Sequence, residues 1–122
     1  MLKQLLAIKR RREGGLRAGL AWLADDDRQL CSKQEALQMR RDVLHAEWRA
    51  LAAQSGCVDR RSFSTLRANL AKFEAEDQAL RHQKVALTTK RTQLAQALAE
   101  KEAHLHRNLR EQEKFSLILE NL

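Results

Sequence analysis

The side chains capable of chemistry are few and scattered. His104 and His106 stand two residues apart. On a helix they diverge, so they cannot share a metal ion, and no cysteine lies near them in sequence. With His45 and His82 they read as solvent-facing helix residues. Cys31 and Cys57 form no Cys-x-x-Cys pair. Antiparallel pairing of the segments that carry them would hold them far apart, so both are expected as free thiols in a reducing compartment. Ser62, Ser64 and Thr65 cluster where a helix is expected to begin, and capping accounts for them. Gly14-Gly15 lacks the Lys-Ser/Thr and the preceding strand of a phosphate-binding loop. Catalysis needs a concave, water-excluded site. No catalytic residue, metal ligand or cofactor site is expected.

What the chain does carry is a ladder of leucines. Leu16, Leu23, Leu30, Leu37, Leu44 and Leu51 stand seven residues apart, and Leu66, Phe73, Leu80, Leu87 and Leu94 repeat the step. Seven residues are two helical turns, so each ladder is a stripe along one helix, and stripes this long argue for a coiled coil. Aromatics are 4% and charged residues 32% of the 122 residues, and there is no proline. That composition suits a long, wet seam between helices rather than a globular core.

The chain is therefore expected as one all-α domain over residues 1–122: two long helices forming an antiparallel coiled-coil hairpin. Helix one should span about 2–54, the joint about 55–61 and helix two about 62–120. Ser55-Gly56 should stop the first helix, and Asp59 or Ser62 should cap the second. Gly14-Gly15 is either a tolerated weak point or a flexible joint behind the terminal segment.

With the ladder leucines as heptad position d, position a is apolar at both ends of the seam and polar in its middle. A short joint requires antiparallel helices. The register it suggests pairs Leu51 with Phe63, Trp48 with Leu66, Leu44 with Leu70, Leu20 with Leu94, Leu16 with Leu98 and Glu13 with Lys101. It also sets Leu37 against Asp77, Leu30 against Lys84 and Leu23 against Arg91. Lys84 and Arg91 would snorkel to water, and the middle would be the weakest part. Trp48, Leu51, Phe63, Leu66, Leu70 and Phe73 should pack the joint end, where large aromatics also make good partner anchors.

The formal charge is +7, and the one dense basic run is Lys9-Arg10-Arg11-Arg12. A basic run before a leucine ladder is also the layout of a basic-zipper DNA binder. That class needs one parallel, dimeric helix with a long basic region. Here only Lys9 to Arg12 are dense, Gly14-Gly15 interrupts the helix and a second ladder offers an internal partner, so nucleic acid is not an expected partner. Residues 1–12 are too short for a membrane-surface helix. No stretch is apolar enough to span a membrane, and Met1 to Ile8 is too short for a signal-peptide core, so a cytoplasmic location is expected.

The opening Leu2-x-x-Leu5-Leu6-x-Ile8-Lys9-x-x-Arg12-Glu13, the chain length and the two long helices about a short joint resemble the stalk proteins of type III secretion systems, the FliJ/YscO-type family. Gly14-Gly15 departs from that family's charged, alanine-rich continuation. The resemblance implies a non-enzymatic antiparallel coiled coil similar to the shaft of rotary ATPases. Its paired termini enter the pore of the hexameric secretion ATPase, and its hairpin end points to the export-gate protein of the inner membrane. Some members handle secretion chaperones.

On that resemblance, Leu2, Leu5, Leu6, Ile8, Phe115, Leu117, Ile118, Leu119 and Leu122 would insert into the pore, and Lys9, Arg10, Arg11 and Arg12 would meet its acidic lining. Trp48, Leu51, Phe63, Leu66, Leu70 and Phe73 would face the export gate. The chain would be a monomer or a weak homo-oligomer, reaching the membrane only through its partners. The alternative is a coiled-coil scaffold or chaperone-escort adaptor, with a basic coiled-coil nucleic-acid binder behind it.

Overall fold

A computed structural model describes residues 1–54 and 60–122. The protein is all-α, with two long helices, α1 (Leu2–Gln54) and α2 (Arg60–Glu120), forming an antiparallel coiled-coil hairpin. Strong helix formers fill both segments, and none of the described residues is proline. Gly14-Gly15 lies within uninterrupted α1 without a positive φ. Ser55, Gly56, Cys57 and Asp59, expected as helix stop, thiol and cap, lie outside the described residues.

Ser62 is inside α2 rather than at its cap. The Ser64 and Thr65 hydroxyls donate back to the Arg60 and Arg61 carbonyls at 3.2 and 3.1 Å. These are bonds of a turn already formed, not of a cap.

The chain divides into two units. One comprises Met1–Gln29 with Arg91–Leu122, the other Leu30–Lys90. In each unit the covered positions follow the heptad, but the cover is thin. Among the described residues the buried apolar side chains are Leu6 and Leu105 in the first unit and Leu80 in the second.

The register differs from the one expected from the joint. In the second unit Trp48 stacks on Phe73, with ring centroids 5.2 Å apart, instead of meeting Leu66. Asp77 takes Arg41 at 3.0 Å, not Leu37. In the first unit Arg91 reaches Asp27 at 3.0 Å rather than lying over Leu23. Glu13 meets Gln112 at 3.0 Å, while Lys101 lies over Gly19.

From Leu66 to Phe73 is one heptad. A slip of seven residues keeps every a and d position on the seam, so apolar burial barely distinguishes the two registers. The polar seam positions do distinguish them. The expected register set Asp77 and Arg91 against leucines, whereas the observed one gives each an opposite charge. The slip leaves Phe63 52% exposed, with the Arg67 guanidinium 6.0 Å from its ring, and Leu51 37% exposed.

Candidate functional site

The first unit contains both the N-terminal and the C-terminal stretch of the chain. The heptad sorts its apolar residues into two sets. Leu6 is buried and Leu2, Phe115 and Leu119 are half-buried, so these close the seam. Leu5, Ile8, Leu117, Ile118 and Leu122 are exposed. The basic run is sorted the same way. Lys9 falls at position d and pairs with Glu111 of α2. Arg10, Arg11 and Arg12 are exposed. Arg107, Arg110 and Lys114 of α2, also exposed, belong to the same unit.

Behind the exposed cations lies a polar seam layer that sequence reasoning missed. The Gln112 amide donates to Asn108 Oδ1 at 2.6 Å, to Glu13 Oε1 at 3.0 Å and to the Lys9 carbonyl at 3.4 Å. Arg17 closes on Glu13 Oε2 at 2.8 Å. Hydrogen bonds from Arg17 and then Gln112 hold the Glu13 carboxyl below the usual range, and Lys9 does the same for Glu111. Asn108 is 4% exposed, and its Nδ2 finds no acceptor. The available signal was Asn108 and Gln112 at d and a positions, where a polar residue must find a partner across the seam.

The second unit is built differently. Trp48 and Phe73 stack, and His45 meets the Phe73 ring edge-on at 5.3 Å. Beside them Asp77, 8% exposed, gathers three cationic or proton-bearing side chains. His45 Nε2 lies at 2.9 Å and Arg41 Nε at 3.0 Å from Oδ1, and Arg81 Nε lies at 3.3 Å from Oδ2. The hydrogen bond from His45, then that from Arg41, holds the Asp77 carboxyl below its ordinary range. In a two-helix structure little protein surrounds even a covered side chain, so bonding outweighs desolvation here. His45 is thus a seam-flanking partner rather than a solvent-facing residue, whereas His82, His104 and His106 are exposed. Leu66 and Leu70 are half-buried.

Two open grooves flank Leu37 and Leu80. One, of about 550 Å³, runs between Lys33, Arg40, Leu87 and Lys90. The other, of about 270 Å³, is bordered by Cys31, Arg41 and Lys84. Cys31 is a free, half-buried thiol. Among the described residues no group of three or more His, Cys, Asp or Glu side chains could hold a metal ion, and no helix is long and apolar enough to cross a membrane.

Comparison with protein-family models, with curated proteins and with solved structures finds no match to this chain.

Proposed function

We propose that the protein is a non-enzymatic stalk of a type III secretion system. In this reading the first unit engages a hexameric secretion ATPase, the joint end reaches toward the export gate, and the coil couples the two at the cytoplasmic face of the apparatus. The observation that supports it best is the chemistry brought together in the first unit. Outward apolar side chains from both terminal stretches, Leu5, Ile8, Leu117, Ile118 and Leu122, accompany the exposed cations Arg10, Arg11 and Arg12. An apolar face beside exposed cations suits a partner lined by apolar and acidic groups.

Lys9 drops out of the ATPase contact because Glu111 occupies it. Leu2, Leu6, Phe115 and Leu119 act by closing the seam. The test is binding of the purified protein to a cognate secretion ATPase. Reversing Arg10, Arg11 and Arg12 to Glu should weaken binding strongly while helicity stays native. Unchanged affinity removes the assignment.

The grooves beside Leu80 favour a second reading, a scaffold or chaperone-escort adaptor. The wider one has an apolar floor of Leu37, Leu80 and Leu87 and a rim bearing Lys33, Arg40 and Lys90. An adaptor would hold a secretion chaperone there, and Leu87→Glu would release it without affecting the ATPase.

A further inference from the structure

Position c of a two-helix coil faces outward. In the second unit Ala36 and Val43 of α1 and Ala79 and Ala86 of α2 fill it, and all four are exposed. They widen the apolar stripe beyond the a and d positions that α1 and α2 use for each other. Ala36 and Ala86 line the groove of about 550 Å³ whose floor is Leu37, Leu80 and Leu87. A second groove, of about 250 Å³, has Leu44, Trp48 and Phe73 along it.

Charge is sorted between the two grooves. Lys33, Arg40 and Lys90 border the wide one, and no carboxylate lines it. Glu47 and Glu76 border the narrow one, against a single cation, Lys72. Lys33, Arg40, Glu47, Glu76 and Lys90 all fall at position g, so they stand on one flank of the unit. All five are exposed, and none makes an ion pair among the described residues. Arg41 and Arg81 of the same unit, in contrast, both close on Asp77. Three cations around an apolar floor suit carboxylates brought by a partner.

We propose that this flank docks an amphipathic helix of a partner protein, lying as a third helix between α1 and α2. Its apolar stripe covers Leu37, Leu80 and Leu87. Its acidic end lies over Lys33, Arg40 and Lys90, and its basic end points toward Glu47 and Glu76. The occupant is helical because the backbone groups of α1 and α2 are spent within the helices, which leaves only side chains to hold it. The floor leucines also repeat every seven residues, the step at which another helix of this type presents its own. From Lys33 to Glu47 the flank is about 20 Å long, which about four helical turns match. This deepens the adaptor reading, on which it rests for the existence of a partner, by stating what that partner presents.

A synthetic peptide of about 18 residues tests it, by fluorescence anisotropy against the full chain. The peptide carries leucines at a and d, flanking glutamates in its first half and flanking lysines in its second, so its net charge is zero. Saturable binding is expected below about 1 mM peptide. Lys33→Glu, Arg40→Glu and Lys90→Glu together turn three attractions into repulsions. They should weaken binding by about tenfold or more while the far-ultraviolet spectrum stays helical. Glu47→Lys with Glu76→Lys should weaken it less. Reversing Arg10, Arg11 and Arg12 to Glu changes the net charge equally and should leave it unchanged. No binding by the wild-type chain overturns the proposal, and so does an equal loss from the two triple reversals. A dimer of the chain that the flank reversals dissociate also overturns it, because a second copy is then the occupant. The adaptor reading fails separately, on a secretion chaperone that Leu87→Glu does not release.

Discussion

The two units solve the same problem, polar side chains on an apolar seam, in different ways. The first unit spreads the polarity over a network. Gln112 bonds three acceptors, Glu13 takes two donors, and Asn108 is left with an amide nitrogen that has no acceptor. The second unit gathers it on one carboxylate, Asp77, which Arg41, His45 and Arg81 surround beside the Trp48–Phe73 stack. A network loses one bond and keeps the others, whereas a hub that loses its anion leaves Arg41 and Arg81 without their counter-charge. The first unit should therefore tolerate loss of a polar side chain better. The second, with grooves on both sides of Leu80, should tolerate loss of an apolar one better.

The largest expected effects are at buried leucines, one taken from each unit. Leu105→Ala, at 7% exposure, should cost about 3 kcal/mol in urea unfolding. Leu80→Ala, at 8% exposure, should cost nearer about 2 kcal/mol, because water already reaches both flanks of that side chain. Equal costs would break the comparison on its apolar side.

Asp77→Ala should come next, lowering the melting temperature by several degrees and by more than Glu13→Ala. In Glu13→Ala, Gln112 still holds Asn108 and the Lys9 carbonyl. A larger drop for Glu13→Ala would reverse the assignment of hub and network. The same carboxylates set the acid limb. Asp77, Glu13 and Glu111 are all depressed when folded. Their stabilisation is therefore complete above the unfolded carboxyl range and is lost as pH falls through the folded values. Melting temperature should change little from these groups between pH 7 and pH 5 and fall below about pH 4. In Asp77→Ala that acid limb should flatten.

Asn108→Leu should stabilise the chain by about 1 kcal/mol, since it removes a buried donor without a partner and adds apolar contact. A loss of stability would show that Asn108 finds an acceptor in solution. The smallest effect is at Gly14, where a methyl group meets nothing within 4 Å. Gly14→Ala should add about 0.5–1 kcal/mol through helix propensity, read from the same urea curves.

Helices, ladders and antiparallel pairing could all be read from the residue pattern, because period seven is a property of one chain segment at a time. The register could not be read from leucines, because a heptad slip returns every leucine to the seam. It was written instead in Asp27, Asp77, Arg41 and Arg91, which become ion pairs in only one of the two registers considered. For the same reason joint length alone sets Phe63 opposite Leu51, whereas the slipped register leaves it 52% exposed.

At the candidate site, the heptad predicts which of the terminal apolar residues turn outward, and Leu5 and Ile8 do. It does not show that Lys9 is already taken by Glu111, because that pair joins residues from the two ends of the chain. Nor does it single out Trp22, which lies on neither ladder and is 78% exposed.

The stalk reading is tested most directly by the ATP hydrolysis rate of a cognate hexameric secretion ATPase, measured with and without the purified protein. The account predicts that the wild-type chain raises the rate and that a helical variant with Arg10, Arg11 and Arg12 reversed to Glu does not. A rate left unchanged by the folded wild-type protein would contradict it and favour the adaptor.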